Sequence, residues 1–392
     1  MSIKNAVNFE DLRRRAKRHA PKIAFDFIEG GVDDEQGLAR NDEKLAQIAL
    51  VPRYLGDPSI PVQQTTLFGK TYAHPFGIAP TGAAALFRQG ADLMLARTAA
   101  AKNIPFIISG ASTATMEEIA AVARDISWYQ LYLAKDRKIS EDMVRRADAC
   151  GFSTLVLTVD TPTQVRRERN IRNGMGRPMK PTWKTKFEAL LHPQWMYAYY
   201  TGPKLTVSNW AKYVPQARNE EEVLDFFASQ IPAPATWDDV QWIRKMWPRN
   251  LVLKGILHPD DARRAASLGV DGIMVSNHGG RQLDRAPSPI EVLPTIVEAV
   301  GEKITIMFDS GIRRGSDIAV AMSMGAKFCW VGRWTLYGVT AGGQAGADHA
   351  ADMVSNQLAA VMRQMGATNT TDFGPSFLLW NNTEDLRRNS RS

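Results

Sequence analysis

Cysteine is almost missing from this chain: Cys150 and Cys329 are the two among 392 residues. They lie far apart and outside any metal-ligand spacing, so both are expected to be buried packing residues in a reducing compartment, with no metal site. No run of eighteen apolar residues occurs, which leaves no candidate for a helix that crosses a bilayer. The arginines and lysines at 13–18 have no apolar stretch behind them, so no secretory signal is expected. A Gly-x-Gly-x-x-Gly turn after the first strand is also absent, which weakens a doubly wound nucleotide-binding sheet. Gly174-Met175-Gly176 does not replace it, since Arg-Pro-Met follows rather than a helix start. Acid is scarce between 174 and 218, where Arg177, Lys180, Lys184, Lys186, Lys204, Lys212 and Arg218 face Glu188 alone.

What the chain has is repetition. Short apolar runs at 76–79, 105–108, 128–132, 154–159, 251–253, 272–275, 304–308 and 328–331 each end in polar residues or glycine. Most are followed by apolar residues at helical spacing, as at 91–101, 116–122, 143–149 and 259–268. Eight strands alternating with helices predict an α/β fold, a closed (β/α)8 TIM barrel with one core. Residues 1–75 are read as an N-terminal helical cap, 76–365 as the barrel and 366–392 as a C-terminal tail. The roughly ninety residues between the fourth and fifth strands are too many for a βα connection. Residues 174–236 are therefore expected to leave the barrel as a long excursion from its C-terminal face.

A barrel places its chemistry where strands end, and polar residues stand at all eight ends of this one. They are Pro80, Thr81 and Gly82; Ser109; Gln130 and Tyr132; Thr158 and Asp160; Lys254; Ser276 and His278; Asp309, Gly311 and Arg313; Gly332 and Arg333. In Ser276-Asn-His-Gly-Gly-Arg-Gln-Leu-Asp284, His278 and Arg281 leave a strand through two glycines. That geometry can aim a proton acceptor and a carboxylate-binding fork at one small molecule. Glycine with arginine at the seventh and eighth ends suits a phosphate, because the backbone approaches closely and guanidinium supplies positive charge. A phosphate-bearing cofactor is thus expected. Lys254, alone on an apolar strand, would be costly to bury without an anionic partner; a reduced flavin ring supplies one, and a Schiff-base substrate is the rival use.

Ser-Asn-His-Gly-Gly-Arg-Gln-Leu-Asp, with Thr-Val-Asp-Thr-Pro, Gln-Leu-Tyr, Leu-Lys-Gly-Ile and Asp-Ser-Gly-Ile-Arg-Arg-Gly, resembles the FMN-dependent (S)-2-hydroxy acid oxidases and dehydrogenases. The resemblance runs from about residue 8 to 365 and is nearest in pattern to membrane-associated L-lactate and (S)-mandelate dehydrogenases. It implies FMN as cofactor and oxidation of a small 2-hydroxy acid to the 2-oxo acid. His278 would be the base and Asp160 would stabilise its imidazolium. Arg281 and Arg167 would face the substrate carboxylate, Tyr132 the substrate oxygen, and Lys254 the flavin N1–C2=O edge. Thr81, Gln130, Thr158 and Ser276 would hold the isoalloxazine; Asp309, Arg313, Gly332 and Arg333 would hold ribityl and phosphate. Hydride and carbanion routes both fit these residues.

Three positions differ within the pattern. Phe27 stands where many members carry a tyrosine that bonds the substrate carboxylate, and Ala111 where glycolate oxidase carries a tryptophan. Both favour an aromatic or long-chain (S)-2-hydroxy acid over glycolate and leave lactate open, so the expected substrate is mandelate-like or lactate-like. Gly82 resembles the dehydrogenases, which pass electrons to a quinone or other carrier, whereas oxidase members, which make hydrogen peroxide, mostly have alanine there. The basic stretch 174–218 of the excursion contains eight aromatic residues, and Leu190-Leu191-His192-Pro193-Gln194-Trp195 resembles the bacterial L-lactate dehydrogenase version. Residues 177–215 are therefore expected to dock on an anionic membrane surface, on the inner face of the cell membrane of a cytoplasmic protein, and not on nucleic acid. A homotetramer is a further implication of the resemblance.

Overall fold

The computed structural model describes residues 3–56, 59–176 and 180–379. Arg177 and residues 380–392 of the expected tail lie outside them. Eight strands form a closed, all-parallel barrel: β1 (Phe76–Ile78), β2 (Phe106–Ile108), β3 (Ser127–Leu131), β4 (Thr154–Thr158), β5 (Asn250–Ile256), β6 (Gly272–Val275), β7 (Thr305–Phe308) and β8 (Phe328–Val331). Each pairs with its sequence neighbour, and β8 closes on β1 through Cys329–Val331 against Phe76–Ile78. The strands read as continuous apolar runs because helices cover one face and the barrel core the other. β5 reaches beyond its expected bounds, and its register with β6 shifts between Lys254 and Ile256.

The cap contributes three helices, α1 (Phe9–His19), α2 (Lys22–Glu29) and α3 (Gln36–Ala46). It also contributes a hairpin, Thr65–Leu67 with Lys70–Tyr72, that closes the N-terminal end of the barrel. There Phe68 lies 5.7 Å from Trp128, which meets Trp330 edge-on at 4.8 Å. After β8 the chain continues as helix over Arg333–Met365 with a bend at Gly343, whose φ of 61° leaves the helical region. The expected tail is, as far as residue 379, built into the cap. Leu378–Leu379 pair antiparallel with Ala49–Leu50, and Thr370 bonds Thr65 across 3.1 Å.

The excursion between β4 and β5 holds the helices Trp183–Ala189, Pro193–Thr201, Ser208–Ala211 and Glu220–Gln230. Two buried tryptophans seat it on the barrel. Trp195 Nε1 donates to Leu86 O at 2.7 Å and Trp210 Nε1 to Gly110 O at 2.9 Å, just beyond β1 and β2. Trp183, Phe187, Leu190, Leu191, Tyr197 and Tyr200 remain exposed. Its aromatics thus divide into an inward set and an outward set. Among the described residues, no helix is long and apolar enough to cross a membrane.

Candidate active site

The C-terminal strand ends open into a cavity of about 1350 Å³, walled on one side by barrel loops and on the other by the excursion. Phe27, Pro80, Thr81, Gly82, Ser109, Ala111, Tyr132, Arg167, Lys254, His278, Arg281, Asp309, Gly311, Arg313, Gly332 and Arg333, all anticipated from sequence, line it. Asp160, Gln130, Thr158 and Ser276 stand behind that surface and act on it through neighbours or a free polar atom.

His278 Nδ1 lies 2.9 Å from Asp160 Oδ1, which leaves Nε2 as the free ring nitrogen. A ring whose Nδ1–H is held by a carboxylate is set as a proton acceptor at Nε2. The bulge of β5 makes this pair possible. Gly255, at φ +104°, has no Cβ, and one placed there would come within 2.5 Å of the Asp160 side chain. Burial lowers the His278 pKa below its ordinary value against the pull of Asp160, and Lys254 and Arg167 reinforce the lowering. Burial alone would raise the Asp160 pKa, but the charges of His278 and Lys254 and the His278 hydrogen bond outweigh it and hold the carboxyl below its usual range. The imidazole is therefore neutral and the carboxylate ionised near pH 7.

Lys254 Nζ bonds Ser276 Oγ at 2.9 Å and lies 3.4 Å from Asp309 Oδ2. A buried protein carboxylate thus already supplies the lysine with an anionic partner, beside the one expected from a flavin. Burial opposes the lysine's charge, and Asp309 followed by Asp160 more than offsets it, so the ammonium is retained. A lysine held cationic in this way is a poor Schiff-base nucleophile.

On the cavity's cap side two guanidiniums flank Phe27: Arg281 at 5.3 Å and Arg167 at 5.7 Å from its ring. Arg281 Nη1 donates to Gly30 O at 2.6 Å, while Arg333 donates to Ile28 O, Gly30 O and Gly279 O. Burial, then Arg167 and Arg333, push the Arg281 pKa well below its ordinary value. Arg167 Nε is buried without a partner. Positive groups crowded together with an unused buried donor are a site prepared for a carboxylate. Tyr132, raised by burial and then by Asp160, keeps its hydroxyl proton.

The polar groups around the rest of the cavity suit a flavin mononucleotide. Gln130 Oε1 accepts from Gly110 N at 2.9 Å, while its Nε2 is buried without a partner, as is Thr158 Oγ1 on the adjacent strand. Buried polar groups are rarely left unsatisfied, so these two await a polar ligand. Arg313 and Arg333, at the seventh and eighth strand ends, repel one another, and a phosphate between them would relieve that. Sequence reasoning missed Gly255, Phe87, Leu205 and Val207. The last three line the cavity, but as isolated apolar residues they carry no signal until the fold brings them there.

The model of a family described as FMN-dependent dehydrogenase matches residues 16–380. L-lactate dehydrogenase of Caulobacter vibrioides is 36% identical over 369 residues, covering 94% of this chain and 96% of that one. L-lactate dehydrogenase of Pseudomonas syringae pv. syringae is 37% identical over 370 residues, covering 94% and 97%. Among solved structures, the monotopic membrane protein (S)-mandelate dehydrogenase superposes with a TM-score of 0.92 at 35% identity, covering 96% of this chain and 100% of that one. A mandelate oxidase with (S)-2-phenylpropionate gives 0.81 at 34% identity, covering 96% and 98%.

Proposed function

From the premise that this chain belongs to the FMN-dependent dehydrogenase family, and so is an FMN-dependent oxidoreductase of (S)-2-hydroxy acids, we propose the residues that do the work, the kind of acid taken and the electron acceptor. The observation that carries the reading is the His278–Asp160 pair at 2.9 Å, facing the same cavity as Arg167, Arg281 and Lys254. Arg281 and Arg167 bind the substrate carboxylate and fix which face of C2 is presented. His278 Nε2 takes a proton from the substrate, and Asp160 stabilises the imidazolium that results. Tyr132 hydrogen-bonds the substrate oxygen.

FMN, when bound, supplies the two-electron acceptor. Thr81, Gln130, Thr158 and Ser276 would hold its ring, Lys254 would sit at the N1–C2=O edge, and Asp309, Gly311, Arg313, Gly332 and Arg333 would take ribityl and phosphate. Pro80 and Ser109 complete that wall. The substrate side chain lies against Phe27, Phe87, Ala111 and Val207, an apolar surface that favours an aryl or long alkyl substituent over hydrogen.

Electrons pass to a quinone or other carrier, reached from a membrane. Trp183, at the start of the helix Trp183–Ala189, is 85% exposed, and Leu191, just past its end, is 71% exposed. Lys186 Nζ stands 4.8 Å from the Trp183 ring and Lys204 6.0 Å from that of Tyr200. Exposed aromatic and aliphatic side chains interleaved with lysines match an anionic lipid interface. The described part of 177–215 is accordingly the peripheral docking segment; a cytoplasmic location and a homotetramer are proposed from the family resemblance alone. The second reading, an oxidase that reduces oxygen, is favoured by the likeness to mandelate oxidase structures and opposed by Gly82.

Anaerobic mixing of the flavin-loaded protein with (S)-mandelate, L-lactate and a long-chain (S)-2-hydroxy acid tests this reading. Rapid bleaching, slow recovery in air and fast recovery with a quinone are expected. Fast recovery in air makes the protein an oxidase, and no bleaching by any of the three removes the substrate assignment.

A further inference from the structure

The loop that carries the base is held in an unfavourable shape. His278, Gly279 and Gly280 have φ of 59°, 67° and 73°, three successive left-handed residues. A side-chain-bearing residue seldom adopts that conformation unless its surroundings impose it. Ser276 Oγ accepts from His278 N at 3.1 Å and Ser310 Oγ from Gly279 N at 3.0 Å, and further restraint comes from α3 of the cap, far away in sequence.

Asn41, on α3, is fully buried and pairs with Asn277 through two reciprocal amide hydrogen bonds. Asn41 Nδ2 donates to Asn277 Oδ1 at 2.9 Å, and Asn277 Nδ2 donates to Asn41 Oδ1 at 2.7 Å. The same Asn277 amide makes two further hydrogen bonds. Its Oδ1 also accepts from Gly280 N at 3.1 Å, and its Nδ2 reaches Pro287 O at 3.3 Å. One side chain thus spans the left-handed turn from 277 to 280, with His278 inside it. Other contacts hold α3 itself in register. Asp284 Oδ1, later in the same loop, accepts from Gly37 N at 3.0 Å at the start of the helix. Arg40 forks onto Glu291 at 2.6 and 2.8 Å, and Asp42 lies 3.4 Å from Arg313.

We propose that Asn41 is a positioning residue for His278: it locks Asn277, and through Asn277 it holds the left-handed turn that aims the imidazole at the substrate. Asn41 lines no part of the cavity and touches no reacting group. The inference rests on His278 being the base, as assigned above. The charged groups that surround that imidazole are Asp160, Lys254 and Arg167, with Arg281 further along the same loop. None of them contacts Asn41, so removing the amide changes the geometry of the base without deleting a charge beside it.

The test compares wild type with Asn41→Ala, both loaded with FMN. Three results are expected: flavin reduction at saturating substrate at least about tenfold slower with the half-saturating concentration little changed, a midpoint of the pH–rate profile moved upward, and faster deuterium exchange in the peptide spanning 276–284. The upward shift follows because a loosened loop rehydrates the imidazole and relaxes its depressed pKa towards the ordinary value near 6.5. The exchange readout does not depend on turnover.

A fall in melting temperature alone, with rate, pH midpoint and loop exchange unchanged, would overturn the proposal and leave Asn41 merely structural. Should Asn41→Ala fail to fold, Asn41→Asp keeps the acceptor for Asn277 Nδ2 and loses the donor to Oδ1; because it adds a charge, it is read by reduction rate and loop exchange and not by the pH midpoint. Wild type that no 2-hydroxy acid bleaches defeats the assignment of the base. Wild type that bleaches, with a variant that bleaches equally fast, defeats the role of Asn41.

Discussion

The two walls of the cavity are built on opposite principles. On the barrel side, charged and polar groups are buried, cross-braced and aimed: Asp160 on His278, Asp309 on Lys254, Asn41 on Asn277. On the excursion side, Tyr199, Leu205, Val207 and Phe227 offer the cavity an apolar surface, while Trp183, Phe187 and Leu191 turn the same segment's apolar groups outward. On the proposed function, the barrel wall would restrict what reaction occurs, and the excursion wall would select what enters and where the molecule rests. A polar site in a dry setting needs every group partnered, which requires a rigid frame; an apolar wall needs only shape.

The division between the walls can be broken most severely at His278. His278→Ala should slow flavin reduction by roughly 10²–10⁴-fold, while the flavin absorbance of the purified variant and its binding to lipid vesicles stay as in wild type; equal reduction rates would remove the base assignment. With His278 as the proposed base, the rate in wild type would require a neutral imidazole. Because the His278 pKa is lowered, reduction should persist below pH 6.5 and fall only as the pH drops through that lowered value. A stopped-flow pH series with a midpoint above 6.5 would contradict this.

On the other wall, Trp183→Ser with Leu191→Ser removes two exposed apolar side chains. Leaving about 3 kcal/mol of insertion energy unused should weaken co-sedimentation with anionic vesicles on the order of a hundredfold. Flavin reduction should not change. Deleting the whole segment is a poorer test, because Trp195 and Trp210 are seated in the barrel and would leave Leu86 O and Gly110 O unpaired.

Two substitutions where the walls meet sharpen the contrast further. Phe27→Tyr adds a hydroxyl between Arg167 and Arg281, and one hydrogen bond to a carboxylate is worth about 1.5–3 kcal/mol. L-lactate, with little apolar contact to lose, should gain about tenfold in kcat/KM and a bulky acid less; an equal gain for both would show that the ring does not discriminate. Gly82→Ala places a Cβ 3.0 Å from that of Ala111 and is expected to raise reoxidation by air several-fold. An unchanged rate of recovery in air would remove Gly82 from the argument about the acceptor.

Much of this was legible along the chain. Every barrel strand was visible because parallel strands buried on both faces are unbroken apolar runs, and the polar residues that end them are the only chemistry a packed barrel displays. The lengthening of β5 was not visible, since Lys254 and Gly255 interrupt the apolar pattern, and the need for Gly255 comes from the Asp160 side chain, far earlier in the chain. Nor was the partner of Lys254. An isolated lysine on a strand announces a need for negative charge but not its source, and Asp309 meets it only when β7 closes beside β6.

The excursion shows the boundary most clearly. Its composition, basic and aromatic, was plain, yet nothing in composition separates Trp195 from Trp183. The first donates to a backbone carbonyl in the barrel; the second is exposed. By itself the sequence determined the barrel, its strand ends and the residue types gathered there, because those follow from local periodicity and from where polarity must stop. Only the tertiary structure decided which aromatics face inward, which carboxylate serves which cation, and that Asn41 of the cap holds the turn beneath His278. Those are pairings between distant segments, and a pairing has no energy until the chain has closed the loop between its members.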